Sequence, residues 1–212
     1  MPIQFITPSI ISSVANTQVT GTITASQIAA VNANTITSGT IPLAQVPQLT
    51  TAKMPTGSVL QVVQTVKTDT FTSSSATFTN ITGLTATITP SSTSSRIVVM
   101  ASVAVGLTEG YFVMIRLARG GSAILQGDAS GSRFQTGGSI YMAGAFSPSN
   151  AQITWPCYVV DSPASTSSLT YSVQMAQPSH SQTFYVNRLQ RDDNATYEPR
   201  SASSLILMEI AG

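Results

Sequence analysis

From Gly57 onward, apolar and polar positions alternate with a period of two, the spacing that sends successive side chains to opposite faces of a β-strand. Runs rich in Val, Ile, Thr and aromatic residues predict strands over Val59–Val66, Leu84–Thr89, Ile97–Val103, Phe112–Arg119, Ile153–Val160, Leu169–Met175, Phe184–Leu189 and Leu205–Ile210. Gly, Pro, Ser and Asn separate them, as in an antiparallel sandwich. No stretch of twelve or more residues keeps a 3.6-residue period, so no crossover helix is available for a parallel sheet. The expected fold of residues 57–212 is all-β, an antiparallel, jelly-roll-like β-sandwich. In the run from Ile153, residues Trp155, Cys157 and Val159 share one face with Ile153, which places Cys157 in the core and makes Trp155 a core or interface anchor. The run Leu205–Met208 is apolar on both faces and should be covered on both, inside the sandwich or against a sister subunit.

The first 56 residues follow a different pattern. An offset of 18 residues brings Ala15-Asn16-Thr17 onto Ala33-Asn34-Thr35, Gly21-Thr22-Ile23 onto Gly39-Thr40-Ile41, and Ser26-Gln27-Ile28 onto Ala44-Gln45-Val46. Repeats 15–28 and 33–46 therefore carry isolated apolar positions among Thr, Ser, Asn and Gln. One chain has little with which to cover Val19, Ile23, Ile28, Ile41 and Val46, whereas three chains wound about one axis would bury them. Residues 1–56 are accordingly read as an extended stem, with those five side chains on the axis of a homotrimer. Pro8 interrupts the N-terminal apolar stretch and no positive cluster precedes it, so a cleaved leader is not expected. No run approaches the roughly 18 apolar residues of a membrane span, so membrane insertion is not expected either.

Composition narrows the functional classes. Charged residues make up only 8% of the chain and the net charge is +1, while Ser and Thr together number 59 of 212, so hydroxyls carry the polar surface. Without grouped Lys and Arg to displace counterions, a nucleic-acid partner is not expected. Cys157 is the single cysteine and forms no intrachain disulfide, leaving packing and assembly to hold the fold.

Candidate chemistry is sparse. Paired carboxylates would be needed to cleave a polysaccharide, and the only acidic cluster, Asp192-Asp193-Asn194, suits a turn better than a dyad, since adjacent strand residues point apart. The single histidine, His180, sits in a predicted loop and reads as a solvated residue. A triad of Cys157, His180 and Asp161 has no supporting signature, and neither a Gly-x-Ser-x-Gly elbow nor metal-ligand spacing occurs. No catalytic residue, metal site or cofactor is expected.

The stem sequence Ile36-Thr37-Ser38-Gly39-Thr40-Ile41-Pro42, followed by Gly57-Ser58-Val59-Leu60-Gln61-Val62 and an all-β C-terminal part, resembles tail-fibre and related structural proteins of bacteriophages, notably those of cyanobacterial hosts. The segments Ile88 to Ile97 and Arg116 to Asp128 resemble parts of such proteins too. The resemblance implies a homotrimeric virion component, assembled in the host cytoplasm, docking on another virion protein through residues 1–56. A shaft this short leaves a short fibre, a fibre adaptor or a capsid decoration as the expected forms, with a polysaccharide depolymerase as the rival enzyme. A receptor-binding head would take a host-surface glycan, stacking sugars on aromatic faces and holding them with Asp, Asn and Arg. Asp128, Arg133, Tyr141 and Tyr158 are the candidate receptor-binding residues, near Gly-rich loops or on the second face of a strand.

Overall fold

The computed structural model describes residues 50–106, 112–141, 151–178 and 182–212. The candidate stem-axis residues Val19, Ile23, Ile28, Ile41 and Val46, and also His180, lie outside the described residues. Alternation of β-branched and hydroxyl residues sets the secondary structure. Among the described residues the chain forms one short 3-10 turn, Thr51–Lys53, and eleven strands. The strands are β1 (Val59–Lys67), β2 (Phe71–Ser73), β3 (Thr79–Ile88), β4 (Arg96–Gly106), β5 (Phe112–Arg119), β6 (Ser122–Ala123), β7 (Gly138–Tyr141), β8 (Gln152–Asp161), β9 (Leu169–Ala176), β10 (Phe184–Val186) and β11 (Ser203–Ile210).

Every pairing is antiparallel, and the strands divide between two sheets. One sheet runs β1-β11-β4-β8. Because β8 occupies one edge of β4 along its length, β10 must pair with Val105 and Gly106 on the edge that β11 uses further back. Strands β10 and β2 thus continue the ranks of β11 and β1. The other sheet runs β3-β9-β5, with β6 and β7 on the remaining edge of β5. Partners are nested, first strand with last and inner strands with inner, which is jelly-roll winding. Inward-facing residues meet between the sheets: Val99 and Val103 of β4 and Leu205 and Leu207 of β11 are wholly buried with Ile115 and Leu117 of β5 and Tyr171 and Val173 of β9.

Departures from the sequence expectation have local causes. Strand β3 starts at Thr79, five residues before Leu84, because the register with β9 shifts between Asn80 and Thr85, where Gly83 has φ +81°. This bulge lets Ile81 and Leu84, three apart, both face inward. The strand expected over Phe184–Leu189 stops at Val186, since Asn187 is left-handed at φ +63°. There its buried amide donates to the Lys67 carbonyl at 2.8 Å and the Asp69 carbonyl at 2.9 Å, while its oxygen accepts from the Ser203 hydroxyl at 2.6 Å. Asn187 therefore ties the β1–β2 corner to the start of β11. Gly106 is required beside it, as a Cβ there would lie 2.2 Å from the Arg188 carbonyl oxygen.

Two polar devices close one end of the sandwich. Asp161, at the end of β8, accepts from the Tyr171 hydroxyl at 2.7 Å and from Arg119 at 2.6 Å, so one carboxylate joins the two sheets. Burial, then the neighbouring Asp161, pushes the Tyr171 hydroxyl pKa well above its ordinary value. In the same cross-strand rank, across Ile97 from Asp161, Glu209, wholly buried, accepts from the Ser91 amide and hydroxyl at 2.6 Å each, from the Ser95 hydroxyl at 2.7 Å and from Gln61 at 2.5 Å.

Candidate ligand-binding groove

The outer surface of the β3-β9-β5 sheet is polar, with Thr87 beside Thr170, Thr85 beside Ser172, and Asn80, Gln174 and Arg116 in one row. Arg116 projects outward because its neighbours Ile115 and Leu117 occupy the core face. Its Nε donates to Gln174 Oε1 at 2.8 Å, and Gln174 in turn donates to Asn80 at 2.9 Å. The guanidinium carbon lies 4.0 Å from the centre of the Phe78 ring, a stacked cation–π arrangement. A hydroxyl-rich turn sets Phe78 in place: the Ser75 amide bonds Ser73 Oγ, and Ser75 Oγ bonds the Thr77 carbonyl.

The segment between β6 and β7 forms the opposite wall. It is pinned on both sides of Arg116, by Ile124 N–H to the Leu117 carbonyl and by Gly137 N–H to the Ile115 carbonyl, each at 2.9 Å. Further out, Gly127 N–H bonds the Thr136 carbonyl, and the Gln135 amide bonds the Gly127 carbonyl. This ladder carries Phe134 over to Phe78, edge to face at 6.4 Å between centroids. Arg133, held by Ser130 Oγ at 2.9 Å, completes the wall.

The result is an open groove of about 460 Å³ bounded by Phe78, Phe134, Arg116, Arg133 and the amide side chains of Gln126 and Gln135. No acidic residue lines it, so two guanidiniums face the space without a carboxylate on its walls. Burial lowers the Arg116 pKa, the direction expected for a cation drawn out of water without a carboxylate beside it. Such a groove favours a planar or ring-shaped ligand bearing negative charge, which the arginines can hold by forked hydrogen bonds and the phenylalanines by stacking.

The four residues expected to bind a receptor are not brought together. Arg133 lines the groove and Asp128 lies exposed in the same β6–β7 segment. Tyr141 is on β7, stacked on Phe112 at 4.7 Å, beside a separate shallow depression that also contains Trp155 and Ile153. Tyr158 stands on the outer face of the other sheet. Phe78, Arg116 and Phe134 were not among the candidates. Two of them sit in segments with no strand pattern, and their convergence depends on a loop folding back across β5.

The remaining candidates for chemistry have structural partners. Cys157 is buried in the core, and burial raises its thiol to about 11, far from a reactive thiolate. Asp161 is engaged by Tyr171 and Arg119 as described. Asp192 lies between Arg200 and Arg188, each at 2.6 Å, and their hydrogen bonds hold its carboxyl below the ordinary range. Asp193 pairs with Arg191, and Asn194 is left-handed at φ +58°. Asp192-Asp193-Asn194 is thus a turn held by ion pairs, and the lowered Asp192 is the reverse of what a general acid needs. Trp155 is half-buried against the core, over Gly138, where a Cβ would come within 2.0 Å of the indole. Among the described residues no three His, Cys, Asp or Glu side chains converge, and no helix is long and apolar enough to cross a membrane.

No protein-family model matches the chain, and no curated protein matches it. Among solved structures, that of infectious bursal disease virus, Gx strain, is similar over 72% of this chain at 12% identity, with a TM-score of 0.33. The matched part spans 37% of that viral chain.

Proposed function

We propose that this chain is a non-enzymatic virion structural protein, a short homotrimeric phage tail fibre or fibre adaptor. In this reading residues 1–56 attach it to the particle and the β-sandwich head presents the groove to a host-surface glycan. The observation that carries the glycan reading is the groove itself: two aromatic rings, two arginines and two amide side chains, with no carboxylate among its lining residues. Sugars offer apolar ring faces to aromatics and hydroxyls to amides, and a uronic or other acidic sugar adds the carboxylate that two guanidiniums would hold. A single open groove gives weak binding. Three heads on one stem raise it through effective concentration. The fibre reading itself is supported by the resemblance of the stem and of the segments around Ile88 and Arg116.

The test is binding of the full chain to host lipopolysaccharide or capsule, and to acidic and neutral oligosaccharides in parallel. Arg133→Ala and Phe134→Ala, both exposed positions, are each expected to weaken binding to the acidic sugar by about tenfold per head, from the loss of roughly 1–2 kcal/mol of contact. Binding unchanged by both, or a preference for the neutral sugar, would remove the groove from consideration. Turnover of the polysaccharide that is lost in Asp192→Ala would instead favour a depolymerase. A capsid decoration is the second reading, because it too needs a trimer and a docking segment. A reconstruction of the particle showing where residues 1–56 dock separates tail from capsid.

A further inference from the structure

The two sheets differ on their outward faces. The β3-β9-β5 sheet turns Thr, Ser, Asn, Gln and Arg outward, whereas the β1-β11-β4-β8 sheet turns out hydrocarbon. The strand register aligns its outward residues in rows across four strands: Val62, Met208, Val98 and Val160; then Gln64, Ile206, Met100 and Tyr158; then Val66, Ser204, Ser102 and Pro156. Nine of these twelve side chains are apolar and none is charged. Val62, Val66, Val160 and Tyr158 are 58%, 53%, 55% and 72% exposed, while Val98, Met100, Ile206 and Met208 on the middle strands are half-buried. The two outer strands thus expose more of this apolar surface than the middle two.

We infer that this face is where copies of the chain pack against one another, a conclusion that rests on the homotrimeric reading above and assigns it a surface. Across four strands about 4.8 Å apart, the three rows run five residues and cover roughly 300 Å². That is already the size of the largest apolar patch on an ordinary monomer, and a stable interface of ~800 Å² per partner would take in the residues flanking the rows as well. The breadth argues for a folded surface as occupant. A second copy offers such a surface, of the same breadth and the same chemistry. The scarcity of charge argues for self-association: among the described residues a single charged side chain, Arg96 opposite Ile210 at the end of β4, shares this face, and one charge beyond the rows makes no pattern to select a foreign partner. Each copy carries the same uncovered face, and closing three about an axis shields all of them at once.

Met100 and Met208 are natural probes of this face, and Met114 on the outward side of β5 is a control of similar exposure. The full chain is oxidised with hydroxyl radicals while its mass is followed by light scattering. In the assembled wild type, Met100 and Met208 should oxidise about tenfold more slowly than Met114, as expected for an interface packed like a protein interior. Ile206→Lys puts an unpaired charge into that contact and should abolish the protection, whether or not the stem still holds three chains together. Val160→Lys, at a more exposed position, is the second variant, and circular dichroism checks that both remain folded. An assembled wild type in which Met100 and Met208 react as fast as Met114 overturns the assignment of this face while leaving the trimer intact. So does protection that survives both substitutions. A monomer overturns the trimer and this face together, and a monomer with both methionines protected means the chain covers the face with its own residues.

Discussion

Glu209 illustrates how a chain with few charges uses one that it buries. Desolvation pushes its carboxyl pKa up, but hydrogen bonds from Ser91, Gln61 and Ser95 together outweigh this and hold it below the ordinary glutamate value of 4.5. A folded pKa below the unfolded one stabilises the fold fully above pH 4.5, and the contribution disappears as pH falls through the folded value. Glu209→Gln should therefore cost about 1–3 kcal/mol in urea denaturation at pH 7, since it replaces a charge-assisted acceptor with a group that faces donors with its own amide. The gap between variant and wild type should narrow as pH falls below 4.5. A gap that stays constant from pH 7 to pH 3 would mean the carboxylate is not what Ser91 and Ser95 recognise. Nothing in the sequence marked Glu209 for this role. It alternates with Leu207 on the core face of β11, but its serine donors come from a run more than a hundred residues earlier. Cys157 was legible for the opposite reason, because its burial follows from the alternation of its own strand.

At the scale of elements, the strands with long alternating runs were readable, and Phe112–Arg119 matches β5 residue for residue. The short strands β2, β6 and β7 were not, because two to four residues cannot display a period, and what holds them is a neighbouring edge. The same limit hid the groove, whose walls are a turn before β3 and the β6–β7 segment. Strand β7 also shows how one small residue joins the sheets. Gly138 pairs with Ile115 while the Trp155 indole of β8 lies where its side chain would be. Gly138→Ala should therefore displace the indole and cost about 1–3 kcal/mol, the usual range for overpacking. The expected readouts are a lower urea midpoint and a red-shifted emission from Trp155, the only tryptophan. An unshifted spectrum with unchanged stability would show that the indole can move aside without loss.

For the whole molecule, the question is which part holds copies together. A net charge of +1 per chain means that three copies repel one another weakly, so modest apolar burial suffices for association. Two surfaces compete for that role: the isolated apolar positions of residues 1–56, and the apolar outer face of β1-β11-β4-β8. The head has its own buried core and its own paired first and last strands, with Gly57 N–H bonded to the Ala211 carbonyl, so a chain starting at Thr50 keeps every interaction described for the sandwich. If the sheet face supplies the contact, that shortened chain should still run at three times its own mass in light scattering, and the full chain at three times 22.1 kDa. Association through a hydrocarbon face should also persist in 1 M salt, which weakens contacts between exposed charges but not apolar burial. A shortened chain that is monomeric beside a trimeric full-length one would transfer the threefold contact to residues 1–49. The outer face would then be apolar for some other partner, and Met100 and Met208 would be the side chains to follow in finding it.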